Sequence, residues 1–414
     1  MGSRLRGNDG IRSTSISNTF PHNAMKPLTL IALGLCALQA AAAPYVPASG
    51  AQVIETLPRR SDPGQQELLR MRARLAANPK DPATAAALAR RYIAIGRGAS
   101  DPRYNGYAQA ALAPWWTQPA PPTEVRILRA TLNQSTHRYA EALADLEAVT
   151  KAAPGEPQAW LTRATVQTVV GDYGGATASC ARLSSLADEL VATTCLANTA
   201  SITGRLAPSI RLLDAIHLRG AGAPAELRAW SLTLLAELCE RHGDAAGAEA
   251  RYRQALAISP DDGYLLGAYA DFLLVQERPR EVTALLRDHG RVDPLLLRHA
   301  LALKLGGESP AQLADARREL AARFDAALRR GDSVHQREQA RYELHLRGDT
   351  AAALALAKKN WAVQKEPADA RLLLEAALAA RDIAAARPVL RWMADTGFED
   401  RQAAALAARL GKAS

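Results

Sequence analysis

The chain has 414 residues, of which 48% are hydrophobic, 22% charged and 5% aromatic. That composition excludes a chain disordered throughout or collagen-like, and four Cys exclude a disulfide-dense scaffold. The formal net charge is +9, but bases alternate with acids (Arg59 and Arg60 near Asp62, Arg317 and Arg318 beside Glu319). No clustered basic face with stacking or groove-reading residues accompanies it, so no nucleic-acid partner is expected.

Residues 1–24 are polar and unpatterned. They read as a disordered extension, or as sequence ahead of a true initiator at Met25. From Met25 the chain has the order of a secretory signal: Lys26, an apolar run over residues 28–38, then small residues. The run is too short to span a bilayer. Ala40 and Ala42 suit the −3 and −1 positions of signal peptidase, which makes 25–42 the signal peptide. Leu35 stands before Cys36 where a lipoprotein signal wants a small residue, so lipidation is not expected. The expectation is export from a bacterial cytoplasm to the periplasm, with no membrane span after cleavage. Residues 43–63, with Pro44, Pro47, Pro58 and Pro63, read as an extended lead-in.

Beyond it, apolar residues recur at helical spacing in blocks of about fourteen, broken by Gly, Asp or Pro. Residues 64–122 give a leading helix (65–77) and a first, divergent pair from Pro82. A long loop (96–103) interrupts that pair, and a Pro-rich bridge (Pro114, Pro119, Pro121, Pro122) closes it. Over 123–398 the chain matches itself. Ala130, Ala164 and Ala236 are each followed twelve residues later by Ala142, Ala176 and Ala248, with Gly171–Asp172 and Gly243–Asp244 at one turn position between them. Further pairs begin near Thr123, Pro157, Leu190, Ala229, Gly263, Asp293, Val334 and Pro367. Residues 399–414 carry a capping helix (400–410) and a tail.

This pattern resembles the tetratricopeptide repeat, a 34-residue helix–turn–helix unit. Trp160, Ala164, Gly171, Asp172, Tyr173 and Ala176 match it in one repeat; Ala236, Gly243, Asp244, Ala248, Ala255 and Pro260 match it in another. Small residues let two helices approach, Gly supplies the backbone freedom of the turn, and Asp caps the next helix. The resemblance implies an all-α, right-handed solenoid. It also puts Cys180 on the second helix of one unit and Cys195 on the first helix of the next, so a Cys180–Cys195 disulfide is expected in an oxidising compartment. Cys239 reads as core.

Catalytic signals are absent from the sequence. No HExxH or CxxC occurs, no GxSxG elbow, and no phosphate or dinucleotide glycine loop. His335 and His345, ten residues apart, face different sides of one helix. No enzyme, cofactor or metal site is expected. The resemblance instead implies a groove lined by first-helix side chains, here Gln134, Gln158, Asn198, Trp230, Glu237, Glu240, Tyr264 and Asp271. That groove reads as polar and mildly acidic, suited to an extended protein or peptide segment of neutral to basic character; Trp230 could equally pack between repeats. The function expected is a periplasmic scaffold or adaptor; the alternative is a structural or assembly subunit of a larger cell-envelope complex.

Overall fold

The computed structural model describes residues 49, 51–52, 62–220, 222–307, 309–331 and 336–412. The expected signal peptide, its cleavage site, Cys36, His335 and most of the lead-in lie outside the described residues. The fold below belongs to one compact unit, residues 59–414.

Among the described residues every regular element is a helix. α1 (Pro63–Ala77) leads. Nine pairs follow: α2 (Pro82–Gly98) with α3 (Arg103–Ala111), trailed by the one-turn α4 (Ala113–Trp116); α5 (Thr123–Ser135) with α6 (Tyr139–Ala152); α7 (Pro157–Val170) with α8 (Tyr173–Leu183); α9 (Glu189–Ile202) with α10 (Leu206–Arg219); α11 (Ala225–His242) with α12 (Ala245–Ile258); α13 (Gly263–Val275) with α14 (Pro279–Leu286); α15 (Asp293–Gly306) with α16 (Pro310–Arg329); α17 (Gln336–Tyr342) with α18 (Thr350–Val363); and α19 (Pro367–Ala379) with α20 (Ile383–Thr396). A π turn, Glu343–Arg347, extends α17, and α21 (Arg401–Lys412) ends the array. The chain is thus an α-solenoid of tetratricopeptide type.

The alanines of the repeat do what their size predicts. Ala130, Ala142, Ala176, Ala236 and Ala248 are 0% exposed and Ala164 is 1% exposed, which lets paired helices close on each other. Asp172, Asp244, Asp349 and Asp382 cap α8, α12, α18 and α20, each accepting from a backbone N–H three residues on at 2.9–3.0 Å. The residue just before the N-cap is left-handed in seven pair turns: Gly171, Gly204, Gly243 and Gly348, and also His137, Glu277 and Arg381. Tyr252 and Phe272 centre the largest apolar cluster, with Leu235, Leu238 and Leu265.

The Pro-rich bridge is clamped. The Arg129 guanidinium donates to the carbonyls of Trp116 (2.7 Å) and Gln118 (2.9 Å) while holding Asp145 at 2.6 and 2.7 Å. Arg126 donates to the Pro119 carbonyl at 3.0 Å. These bonds satisfy carbonyls that proline-broken backbone leaves without helical donors.

The array also closes on itself, which periodicity did not foretell. The Lys365 N–H donates to the Val169 carbonyl (2.8 Å), Tyr139 Oη to Gln364 Oε1 (3.0 Å) and Trp392 Nε1 to Tyr173 Oη (2.9 Å). Buried Arg241, at the end of α11, donates to the carbonyls of Ser201 (2.6 Å) and Glu399 (3.1 Å) and to Ser201 Oγ (3.0 Å). Its guanidinium also stacks 4.7 Å over the Phe398 ring. The last pair and α21 therefore rest on α6 to α11.

Candidate binding groove

The eight groove positions lie on α5, α7, α9, α11 and α13, the first helices of consecutive pairs. Their environments differ. Gln158 is exposed, its amide donating to Thr162 Oγ1 at 3.0 Å. Gln134 and Asn198 are half-buried. Trp230 is 39% exposed and Tyr264 67% exposed.

The acids fall into two groups. Glu240 and Asp271 are occupied by the chain itself. Glu240 accepts from Tyr252 Oη and Gln402 Nε2, both at 3.1 Å, and lies 3.5 Å from Arg371 of α19. Burial raises its carboxyl above the usual range, with Arg371 opposing. Asp271 is gripped by Arg298 (2.6 Å) and by Arg341 of α17 (2.8 Å). Burial works to raise it, but the two guanidiniums outweigh burial and hold it well below the usual carboxylate range. The expected acidic character of the groove is reduced to that extent, because the returning C-terminal pairs bring arginines onto the same helices. Arg241, Arg341 and Arg371 are the participants the sequence pattern missed; each stands on a helix whose partner lies tens to more than a hundred residues away.

Glu237 belongs to the second group. It accepts from Tyr264 Oη at 2.6 Å, so the structure brings these two predicted residues together. Burial pushes its carboxyl up to about 7; the Tyr264 hydrogen bond opposes, and Glu240 and Glu366 reinforce. Across from it, Arg337 pairs with Glu366 (2.8 Å) and Asp369 (3.4 Å). Burial pushes the Asp369 carboxyl up to about 6, with Arg337 opposing.

Cys180 and Cys195 form a disulfide between α8 and α9, with Cα atoms 5.5 Å apart. Cys239 is buried and free, and burial pushes its thiol up to about 11, the opposite of an activated nucleophile. His345 Nε2 lies 3.3 Å from Glu375 Oε2. Among the described residues no group of three or more His, Cys, Asp or Glu is placed to hold a metal ion. Among them no helix is long and apolar enough to cross a membrane.

No protein-family model and no curated protein matches the sequence. Solved structures do. A tetratricopeptide repeat protein from Parabacteroides merdae ATCC 43184 is similar over 70% of this chain and 98% of its own, at 14% identity and a TM-score of 0.34. The human IFIT1 dimer with PPP-AAAA covers 84% and 86%, at 12% identity and a TM-score of 0.44. The APC/C hetero-tetramer Cut9-Hcn1 covers 84% and 80%, at 14% identity and a TM-score of 0.35. What this chain has in common with them is the helical-repeat architecture that its own helix pairs display.

Proposed function

We propose that the chain is an exported, non-catalytic scaffold that holds an extended segment of another protein along the concave row of first helices, with Trp230 and Tyr264 as anchors and Gln134, Gln158 and Asn198 as polar contacts. The observation that carries this reading is the exposure of those two rings, 39% and 67%, on neighbouring helices of an array whose other large side chains are mostly packed. Aromatic anchors of this kind dominate polypeptide binding. The signal-like residues 25–42 and the Cys180–Cys195 disulfide both support an oxidising compartment outside the cytoplasm, the periplasm. Exposed Leu212 and Leu218 on α10, 50% and 73% accessible, favour as a second reading a permanent place in a larger envelope assembly.

The test is affinity capture from envelope extract with residues 43–414, beside the Trp230→Ala and Tyr264→Ala variants. The expected result is one stoichiometric polypeptide retained by the parent chain and lost with either variant. Retention that ignores both substitutions overturns the groove reading.

A further inference from the structure

The interior face formed by α11, α13, α17 and α19 is dense in carboxylates, and almost all are matched. Glu240 has Arg371, Asp271 has Arg298 and Arg341, and Glu366 has Arg337. Glu237 differs. Its partner is the neutral Tyr264 hydroxyl at 2.6 Å, and among the described residues no basic side chain stands within ion-pair distance of it. Beside it Tyr264 is 67% exposed, in a region where guanidiniums fill the other acidic positions.

We propose that Glu237 and Tyr264 form the seat of a single cationic side chain, lysine or arginine, of the bound segment. The proposal rests on the scaffold reading and narrows its ligand. The carboxylate has one oxygen taken by the Tyr264 hydroxyl and a second free to accept a charge-assisted hydrogen bond. The exposed ring offers its negative face to the same cation. One carboxylate beside a phenol is a poor set for a metal ion, whereas a carboxylate beside a ring face suits an organic cation. The chain's own use of arginine against Glu240 and Asp271 shows the chemistry that this surface accommodates.

Occupation carries a proton signature. In the free protein Glu237 is held near neutral pH. Burial acts first, Glu240 on its own helix and Glu366 ahead of α19 add to it, and Tyr264 on α13 and Arg371 on α19 oppose it. Arg241 and, on α12, Tyr252 also feel its charge. A bound cation favours the carboxylate, so binding at pH 7 releases part of a proton.

The experiment titrates N-acetyl-arginine amide, N-acetyl-lysine amide and the neutral isostere N-acetyl-norleucine amide into the 43–414 chain, following protein NMR shifts and, by calorimetry in phosphate and in Tris, protons released. The expected result is that both cationic amides bind about tenfold more tightly than norleucine amide, with a measurable fraction of a proton released at pH 7. Glu237→Gln, which keeps size and a hydrogen-bond acceptor, removes the preference and the proton release, and Tyr264→Leu weakens the preference. Circular dichroism confirms that both variants remain folded. Equal binding of the norleucine amide, or a preference that survives Glu237→Gln, overturns the proposal. That failure leaves capture through Trp230 untouched, whereas capture indifferent to both Trp230→Ala and Tyr264→Ala sinks the groove reading whatever the amides do.

Discussion

The seven left-handed turn residues set up an internal experiment. Gly348 has φ 77° and Arg381 has φ 55°, each immediately before an N-cap Asp. Left-handed backbone costs a residue with a Cβ about 1–2 kcal/mol, and the extra freedom of unfolded glycine returns about 0.5–1 kcal/mol of that. Arg381→Gly is therefore expected to stabilise by about 0.5–1 kcal/mol, and Gly348→Ala to destabilise by about 1 kcal/mol. Both sites are clean. A Cβ at Gly348 meets nothing within 4 Å, and the Arg381 side chain is exposed with no ion pair among the described residues. Gly243→Ala is a harsher control, because its Cβ would stand 2.9 Å from the Arg401 side chain. The assay is equilibrium urea unfolding with the slope held constant across variants. A destabilising Arg381→Gly, or a neutral Gly348→Ala, would refute the claim that backbone conformation governs these turns.

Two further outcomes concern long-range ties. Arg241→Ala withdraws a buried guanidinium from three hydrogen-bond acceptors and from the buried Asp400 carboxylate 3.9 Å away, and leaves the Ser201 and Glu399 carbonyls without it. A loss of about 3–5 kcal/mol is expected, with amides of residues 397–402 exchanging faster by hydrogen-exchange mass spectrometry; unchanged exchange there would mean that Arg241 does not hold the closure. Replacing Cys180 and Cys195 together by Ala opens a link across a sequence separation of 15 and should cost about 3 kcal/mol in the chain-entropy account. A urea midpoint that does not move on this replacement would show that α8 and α9 need no covalent tie.

Much of this architecture is legible in the sequence because its causes are local. The helix pairs at Pro82, Thr123, Pro157, Gly263, Asp293 and Pro367 start at those residues, where Pro at the first turns, Asp caps and short loops mark the boundaries. The Ala pairs at the crossings and the Gly–Asp turns read out directly, and Cys180 and Cys195 pair because adjacent repeats always pack in the same way. The turns at His137 and Glu277 lack the glycine signal yet adopt the same backbone, imposed by the packing on either side. The helices that carry the candidate groove residues could be placed by register, but not the electrostatics around those residues. Nothing in a 34-residue period says that Arg341 will reach Asp271 or that Arg371 will reach Glu240, since those contacts depend on how far the superhelix turns before it meets itself.

That meeting changes how the chain should fold. An open repeat array is nearly one-dimensional: each unit senses its neighbours, and the ends fray first. Here Tyr139 bonds Gln364 across a sequence separation of 225, and Arg241 reaches Glu399 across 158. Closing loops of that length costs about 5 kcal/mol in chain entropy before any contact offsets it. The nonlocal contacts raise the contact order well above that of an open solenoid, which slows folding. In exchange, the C-terminal end of the array loses its independence. The last pair and α21, seated on α6 to α11, are not free to peel, so their unfolding is coupled to repeats far upstream, and removal of the last pair is felt as far back as Tyr173 on α8.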